Sequence, residues 1–220
     1  MARRTVVSDT AVAPVDDNAP VVRSLSALRA AENECRRCPL YKNATQAVPG
    51  EGPGHAKVML VGEQPGDKED LAGKPFVGPA GRVLDHALAD AGIPRNETFV
   101  TNAVKHFKFE PRGKRRLHKK PNAYEIERCK WWFEQERALV KPQLVVALGA
   151  TAARSLIGRQ VAIGKLRGEP LALADGTQLL VTIHPSALLR IQEEEDKRAA
   201  YAAFVKDLKI AARLVFRKAA

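Results

Sequence analysis

Apolar positions along this chain follow two rhythms. Four short runs are almost continuously apolar: residues 57–62 (Lys-Val-Met-Leu-Val-Gly), 98–104 (Thr-Phe-Val-Thr-Asn-Ala-Val), 144–149 (Leu-Val-Val-Ala-Leu-Gly) and 179–183 (Leu-Leu-Val-Thr-Ile). Runs of this length read as strands buried on both faces. Other stretches repeat with helical spacing. Val83, Leu84, Ala87, Leu88 and Ala91 form one stripe, stopped by Gly92 and Pro94. Asn122 opens a second helix that shares Ile126, Cys129, Trp132 and Phe133 on a face, and residues 150–156 read as a short third. Phe204, Val205, Leu208, Ala211, Ala212 and Val215 mark a final one. Near the start, Ser24 or Ser26 caps a short helix running toward Cys35. The Gly- and Pro-rich stretch from 62 to about 81 and the polar stretch 105–120 read as loops.

Continuous strands alternating with amphipathic helices predict an α/β three-layer sandwich: a central, mainly parallel sheet flanked by helices. Ligands of such sheets sit beyond the carboxyl ends of the strands. Three polar loops leave strand ends here, after Val61, Val104 and Ile183. Residues 23–220 are expected to form one domain, and residues 1–22, with Pro14 and Pro20 and no periodicity, a disordered tail.

Charge changes the picture. The net charge of +11 favours phosphate-rich or anionic partners. Residues 105–120 hold eight Lys or Arg and one Glu, a net +7. A concentrated patch of that kind is a plausible nucleic-acid footprint, with Lys114 and Arg115 as phosphate contacts. No apolar run is long enough to span a bilayer, and the first residues lack the apolar core of a signal peptide. A cytoplasmic location and no membrane partner are therefore expected, and three cysteines, an odd count, argue against a disulfide framework.

The candidate chemistry follows from residue types and spacing. Cys35-Arg36-Arg37-Cys38 is a pair suited to zinc or an iron–sulfur cluster, with Cys129 as a third thiolate and His106 as a possible fourth ligand. Gly62-Glu63-Gln64-Pro65-Gly66 lets a ligand approach backbone and places a carboxylate at a strand end. Phe76, between Gly73 and Gly81, can stack on a flat ring. In His184-Pro185-Ser186 the proline holds the histidine extended, so its imidazole can donate to developing negative charge. Leu189 beside Arg190 is an apolar wedge next to a cation, as used to open a DNA step. His118 follows Lys-Arg-Arg-Leu; neighbouring cations favour its neutral form, which can be a base, a nucleophile or a phosphate contact.

Together these motifs resemble the uracil-DNA glycosylase superfamily, specifically its iron–sulfur branch, over residues 24–215. The resemblance implies uracil excision from DNA, with Phe76 stacking on the base, Asn102 of Thr101-Asn102-Ala103-Val104-Lys105 reading its edge, and Gly62 and Ser186 lining the base site. It implies a 4Fe–4S cluster on Cys35, Cys38, Cys129 and His106. Two departures from the ordinary iron–sulfur members, His106 for a fourth Cys and Gln64 for Ala, resemble the UdgX group, as does the Lys114-Arg115-Arg116-Leu117-His118 loop. Members of that group stay covalently attached to the DNA through the loop histidine, here His118. The expectation is a monomeric, single-turnover glycosylase acting on uracil-containing DNA, single strands included, with Glu63, Gln64, Arg116, His118 and His184 as its catalytic set. The alternatives are a turnover uracil-DNA glycosylase releasing abasic DNA, and a non-catalytic iron–sulfur protein that binds nucleic acid. A zinc-dependent hydrolase ranks below both, for want of clustered His and carboxylate.

Overall fold

A computed structural model describes residues 5–6 and 22–216. In chain order the elements are β1 (Thr5–Val6), α1 (Leu25–Asn33), β2 (Val58–Gly62), α2 (Asp67–Ala72), α3 (Pro79–Ala91), β3 (Thr98–Asn102), β4 (Phe109–Arg112), β5 (Arg115–His118), α4 (Ala123–Val140), β6 (Leu144–Leu148), α5 (Ala150–Ile157), α6 (Ile163–Leu166), β7 (Pro170–Ala172), β8 (Gln178–Thr182) and α7 (Glu194–Phe216). Of the expected tail, the two residues of β1 and Val22 are described; β1 pairs in parallel with Leu171 and Ala172, and the rest lies outside the described residues.

The main sheet has the order β1-β7-β8-β6-β2-β3. β8, β6, β2 and β3 run parallel, and only the β7–β8 junction is antiparallel. The expected α/β sandwich is what forms, because each central strand buries both faces. Met59 and Val61 point into a core with Phe133 of α4 and Ala152, Ala153 and Leu156 of α5. Val58 and Leu60 point the other way, among Leu84 and Leu88 of α3 and Phe204 and Leu208 of α7. A third cluster lies to one side, between α1 and α4, and contains all three cysteines with Trp131 and Trp132.

Helix ends follow the expected punctuation. Ser24 caps α1 by accepting from the Ala27 N–H at 3.2 Å. Asn122 and Glu125 cap α4 reciprocally, at 2.9 and 2.7 Å, an arrangement whose loss costs about 1 kcal/mol in comparable helices. Gly92 ends α3 in the left-handed region at φ 72°.

Two expected loops carry structure. The 62–81 stretch contains α2, whose first turn holds Asp67, Glu69 and Asp70, favourable at a helix N-terminus. The basic stretch is a hairpin: β4 and β5 pair antiparallel around Gly113-Lys114, with Gly113 at φ 57°. It also carries less free charge than its composition suggests. Lys105 is fully buried, Lys108 pairs with Glu125, Arg116 with Asp67 and Asp70, and Lys119 with Glu110. Arg112, Lys114, Arg115 and Lys120 remain exposed. Among the described residues no helix is long and apolar enough to cross a membrane.

Candidate active site

Four adjacent parallel strands end together, and each end supplies one part of the site. Gly62 of β2 is in register with Asn102 of β3, and Leu148 of β6 with Thr182 of β8. The two inner strands lead into glycines, Gly62 and Gly149, and the two outer ones into Asn102 and His184. Glycine is required at the centre. A Cβ on Gly62 would lie 2.3 Å from Asn102 Oδ1 and 2.7 Å from Phe76 Cζ. Gly149, at φ 92°, would bring a Cβ to 3.1 Å from that of His184. The missing side chains leave space between the outer pair.

That space opens into a cavity of about 330 Å³ lined by Gln64, Phe76, Asn102, His118, His184 and Leu189, among others. Phe76 is stacked at 5.9 Å from the His184 ring. Its backbone sits at φ 57°, an unfavourable region for a residue with a Cβ, and the start of α3 packs against its carbonyl so closely that Gly81 could carry no side chain. Glu69 fastens the two loops of this wall: its carboxylate accepts from the Gly66 N–H at 3.2 Å and the Gly78 N–H at 2.7 Å.

Asn102 is buried, yet its Oδ1 has no hydrogen-bond partner. An unpaired buried acceptor costs free energy unless a ligand donor fills it. The cavity thus offers an aromatic face, a free acceptor at its floor and an imidazole opposite. His184 Nδ1 accepts from the Ser186 backbone N–H at 3.2 Å and lies 2.8 Å from Ser186 Oγ, which fixes the ring proton on Nε2. Burial, then the charges of His118 and Arg190, lower the His184 pKa to about 4, so the ring is neutral at physiological pH. Ser186 therefore lines the cavity and orients His184.

His118 stands at the mouth, at the end of β5. Its Nε2 is 3.4 Å from Glu63 Oε1, and Thr151 at the start of α5 donates to Glu63 Oε2. Burial lowers the His118 pKa, the Glu63 carboxylate opposes this, and Arg190 adds to the lowering. His118 also lines a second cavity of about 580 Å³, on the Glu63 and Lys120 side. The hairpin that carries it is tied down by two side chains. The Gln64 amide donates to Lys108 O and Lys119 O, both at 3.1 Å, and its Oε1 accepts from the Lys108 N–H at 3.1 Å. Arg116 donates to Asp67 Oδ1 and Asp70 Oδ2, both at 2.6 Å, and lies over Phe107 and Phe109. Arg116 thus latches the hairpin onto α2.

The remaining expected residues divide between two places. Lys114, Arg115, Leu189 and Arg190 are exposed, with Leu189 at the cavity rim beside the buried Leu188. Cys35, Cys38, Cys129 and His106 are buried. Two N–H groups address the sulfurs: Trp132 Nε1 donates to Cys35 Sγ at 3.0 Å, and the Lys105 amide to Cys129 Sγ at 3.1 Å. Burial raises the thiol pKa values of Cys38 and Cys129, and Cys35 adds to both shifts. Among the described residues no three His, Cys, Asp or Glu gather tightly enough to hold a single metal ion.

Sequence reasoning missed Thr151, Glu69 and the buried Lys105–Glu136 pair. Their partners lie far away in the chain or in loops whose shape the residue pattern does not carry, so no local signal marks them.

Comparison with known proteins matches this architecture. Residues 49–209 fit the model of the uracil DNA glycosylase superfamily. A type-4 uracil-DNA glycosylase of Pyrobaculum aerophilum is 39% identical over 181 residues, 79% of this chain and 86% of that protein. One from Thermotoga maritima is 37% identical over 166 residues, 75% and 83% of the two chains. A type-5 uracil-DNA glycosylase of Pyrobaculum aerophilum is 30% identical over 182 residues, 74% of this chain and 76% of its own. With the family model covering most of the chain and relatives alike over most of their length, this protein belongs to the uracil-DNA glycosylase superfamily.

Proposed function

We propose that this protein is a uracil-DNA glycosylase that cleaves the N-glycosidic bond of deoxyuridine and then holds the abasic sugar covalently through His118. The observation that carries the reading is the unpaired, buried Oδ1 of Asn102 at the floor of a cavity walled by Phe76 and His184. A uracil base flipped out of its stack presents N3–H, a donor suited to that acceptor. Phe76 covers its face. The His184 Nε2–H meets the oxygen on which charge develops as the electron pair of the C1′–N1 bond passes to the base. Leu189 fills the gap left in the stack, and Arg190, Lys114 and Arg115 meet phosphates.

The sugar left behind is oxocarbenium-like at C1′. In the turnover alternative, water adds there. Three features favour His118 as the nucleophile instead. It stands at the cavity mouth as a neutral imidazole, beside Glu63. One ring nitrogen gives its lone pair to C1′, the ring becomes a cation, and Glu63 takes up that charge and the remaining ring proton. Gln64 and Arg116 hold the hairpin against the cavity, and an Ala at position 64 could make none of the three Gln64 hydrogen bonds. Those residues, with His106, are the ones by which the chain resembles the UdgX group.

Cys35, Cys38, Cys129 and His106 fit an iron–sulfur cluster better than a single ion. The cysteines are buried in one cluster, N–H donors face two sulfurs, and the His106 pKa is lowered to about 4 by burial, which leaves the neutral ring a ligand must be. A 4Fe–4S cluster there would hold α1, α4 and the start of the hairpin segment together as a structural cross-link.

The test is a denaturing gel with uracil-containing single-stranded DNA. A shifted band that survives SDS and heat, and is lost in His118→Ala while uracil release persists, supports capture. Free abasic product without a shifted band sinks capture and leaves excision. Binding without base release from any DNA sinks both. Purified protein should carry iron and sulfide in cluster stoichiometry; stoichiometric zinc without iron would refute the cluster.

A further inference from the structure

The mechanism above leaves a buried ion pair unused. Lys105 is fully buried at the turn that follows β3, and Glu136 of α4 is almost as inaccessible. The Lys105 ammonium has three donors and three acceptors: Glu136 Oε2 at 2.7 Å, Thr101 Oγ1 at 2.6 Å and the Asn102 carbonyl at 3.0 Å. Glu136 is equally committed. Its Oε2 accepts from Thr101 Oγ1 at 2.7 Å, and its Oε1 from the Gly50 N–H at 2.8 Å. Next to the pair lies Glu32, buried with both carboxylate oxygens unpartnered; burial, then Glu136, push its pKa up.

A buried ion pair is a poor device for stability, since apolar residues of similar volume commonly do as well or better. Its geometry suggests another task. Asn102 offers its Oδ1 to the cavity with no hydrogen bond of its own. The direction of that side chain therefore depends on its backbone, and Lys105 grips that backbone by the carbonyl. The intervening turn is pinned from the other side, by Ala103 N–H to Gly62 O and Val104 N–H to Glu63 O, each at 3.0 Å. The Lys105 amide in turn donates to Cys129.

We propose that the Lys105–Glu136 pair is a positioning device that aims Asn102 at the flipped base. It acts through the Asn102 carbonyl and the Thr101 hydroxyl and touches no substrate atom. The proposal rests on Asn102 reading uracil, and the test separates the two ideas. Single-turnover uracil release is measured for the wild type, Asn102→Ala, the paired variant Lys105→Met with Glu136→Leu, and the three changes combined.

The paired variant should fold and keep an iron content close to the wild type, because no charge is left unpaired, with a melting temperature lowered by the Gly50 N–H, the Thr101 hydroxyl and the Asn102 carbonyl that lose their partners. Its excision rate at saturating DNA should fall by about 10²-fold, the scale of a misplaced catalytic contact, with little change in DNA affinity. In the Asn102→Ala background the same paired change should cost less than about threefold, because two groups acting as a unit are non-additive. Equal losses in both backgrounds, or no loss in a folded paired variant, would overturn the proposal. If Asn102→Ala alone excises at the wild-type rate, the reading of Asn102 fails and the proposal falls with it. Should the paired variant not fold, Thr101→Val severs the same link by one hydroxyl and is held to the same comparison.

Discussion

The base cavity and the hairpin are built by opposite means. The cavity's polar groups hang from the ends of β2, β3, β6 and β8, whose residues are buried on both faces. Their positions follow from the core, and glycines make room for them. The β4–β5 hairpin has almost no core of its own: six of its eight strand residues are exposed, Phe109 and Arg116 are half-buried, and it is held by Gln64 and Arg116. Chemistry that must recognise a base is placed on rigid strand ends. The residue proposed to attack the sugar is placed on an element with few anchors, each separable from the cavity by one substitution. The two halves of the reaction should therefore fail separately.

The sharpest way to break the rigid half is Gly62→Ala. The added methyl meets Asn102 Oδ1 and Phe76 Cζ with 2.3 and 2.7 Å available, so it displaces the two side chains proposed to hold the base. Uracil release should fall by about 10²-fold or more, and adduct with it, because no oxocarbenium forms to be captured. The measurement is single-turnover release of labelled uracil. Retention of more than a tenth of the rate would show that the cavity yields, and that the contrast with the hairpin is overdrawn.

The hairpin half breaks at its latches. Arg116→Ala removes two charged hydrogen bonds to α2, and Gln64→Ala removes three to the hairpin base. In each variant, adduct formation should slow by about tenfold while uracil release changes less than about threefold, since neither side chain is required to bind the base. Free abasic product should accumulate before the shifted band appears. A parallel loss of both activities would mean that the hairpin also shapes the base cavity.

The same contrast explains what the sequence could show. The strand-end residues were legible because continuous apolar runs locate the strands and Gly62, Asn102 and His184 lie at or just past their ends. The hairpin was not: its residues are charged and exposed, Pro111 lies in one strand, and nothing alternates. Helix α2 was hidden for a related reason, being six residues long with three acids in its first turn. Strand β7 has three residues and starts with Pro170. Lys105 looked like one more cation of the basic run, and only the fold shows Glu136 of α4 opposite it. A count of charges along the chain cannot show which of them is buried.

A smaller effect concerns the pH at which His118 is available. Its pKa is lowered by burial, raised by Glu63 and lowered again by Arg190. A protonated ring has no lone pair to give, so capture is fully present above the folded pKa and lost as pH falls through it. Because that pKa lies below the ordinary value of about 6.5, the midpoint of the decline in adduct formation should fall below that pH. Arg190→Gln removes a cation that depresses the ring. The decline should then move to higher pH. Arg190 is also expected to meet DNA, so the comparison uses saturating DNA and the position of the curve rather than its height. His184 gives the internal control. Its pKa of about 4 lies so far below neutrality that, even without the contribution of Arg190, the ring stays neutral where capture titrates, so uracil release should keep its pH profile in Arg190→Gln where capture shifts. If both profiles shift together, Arg190 acts on the cavity as a whole, and His118 is not electrostatically separable from it.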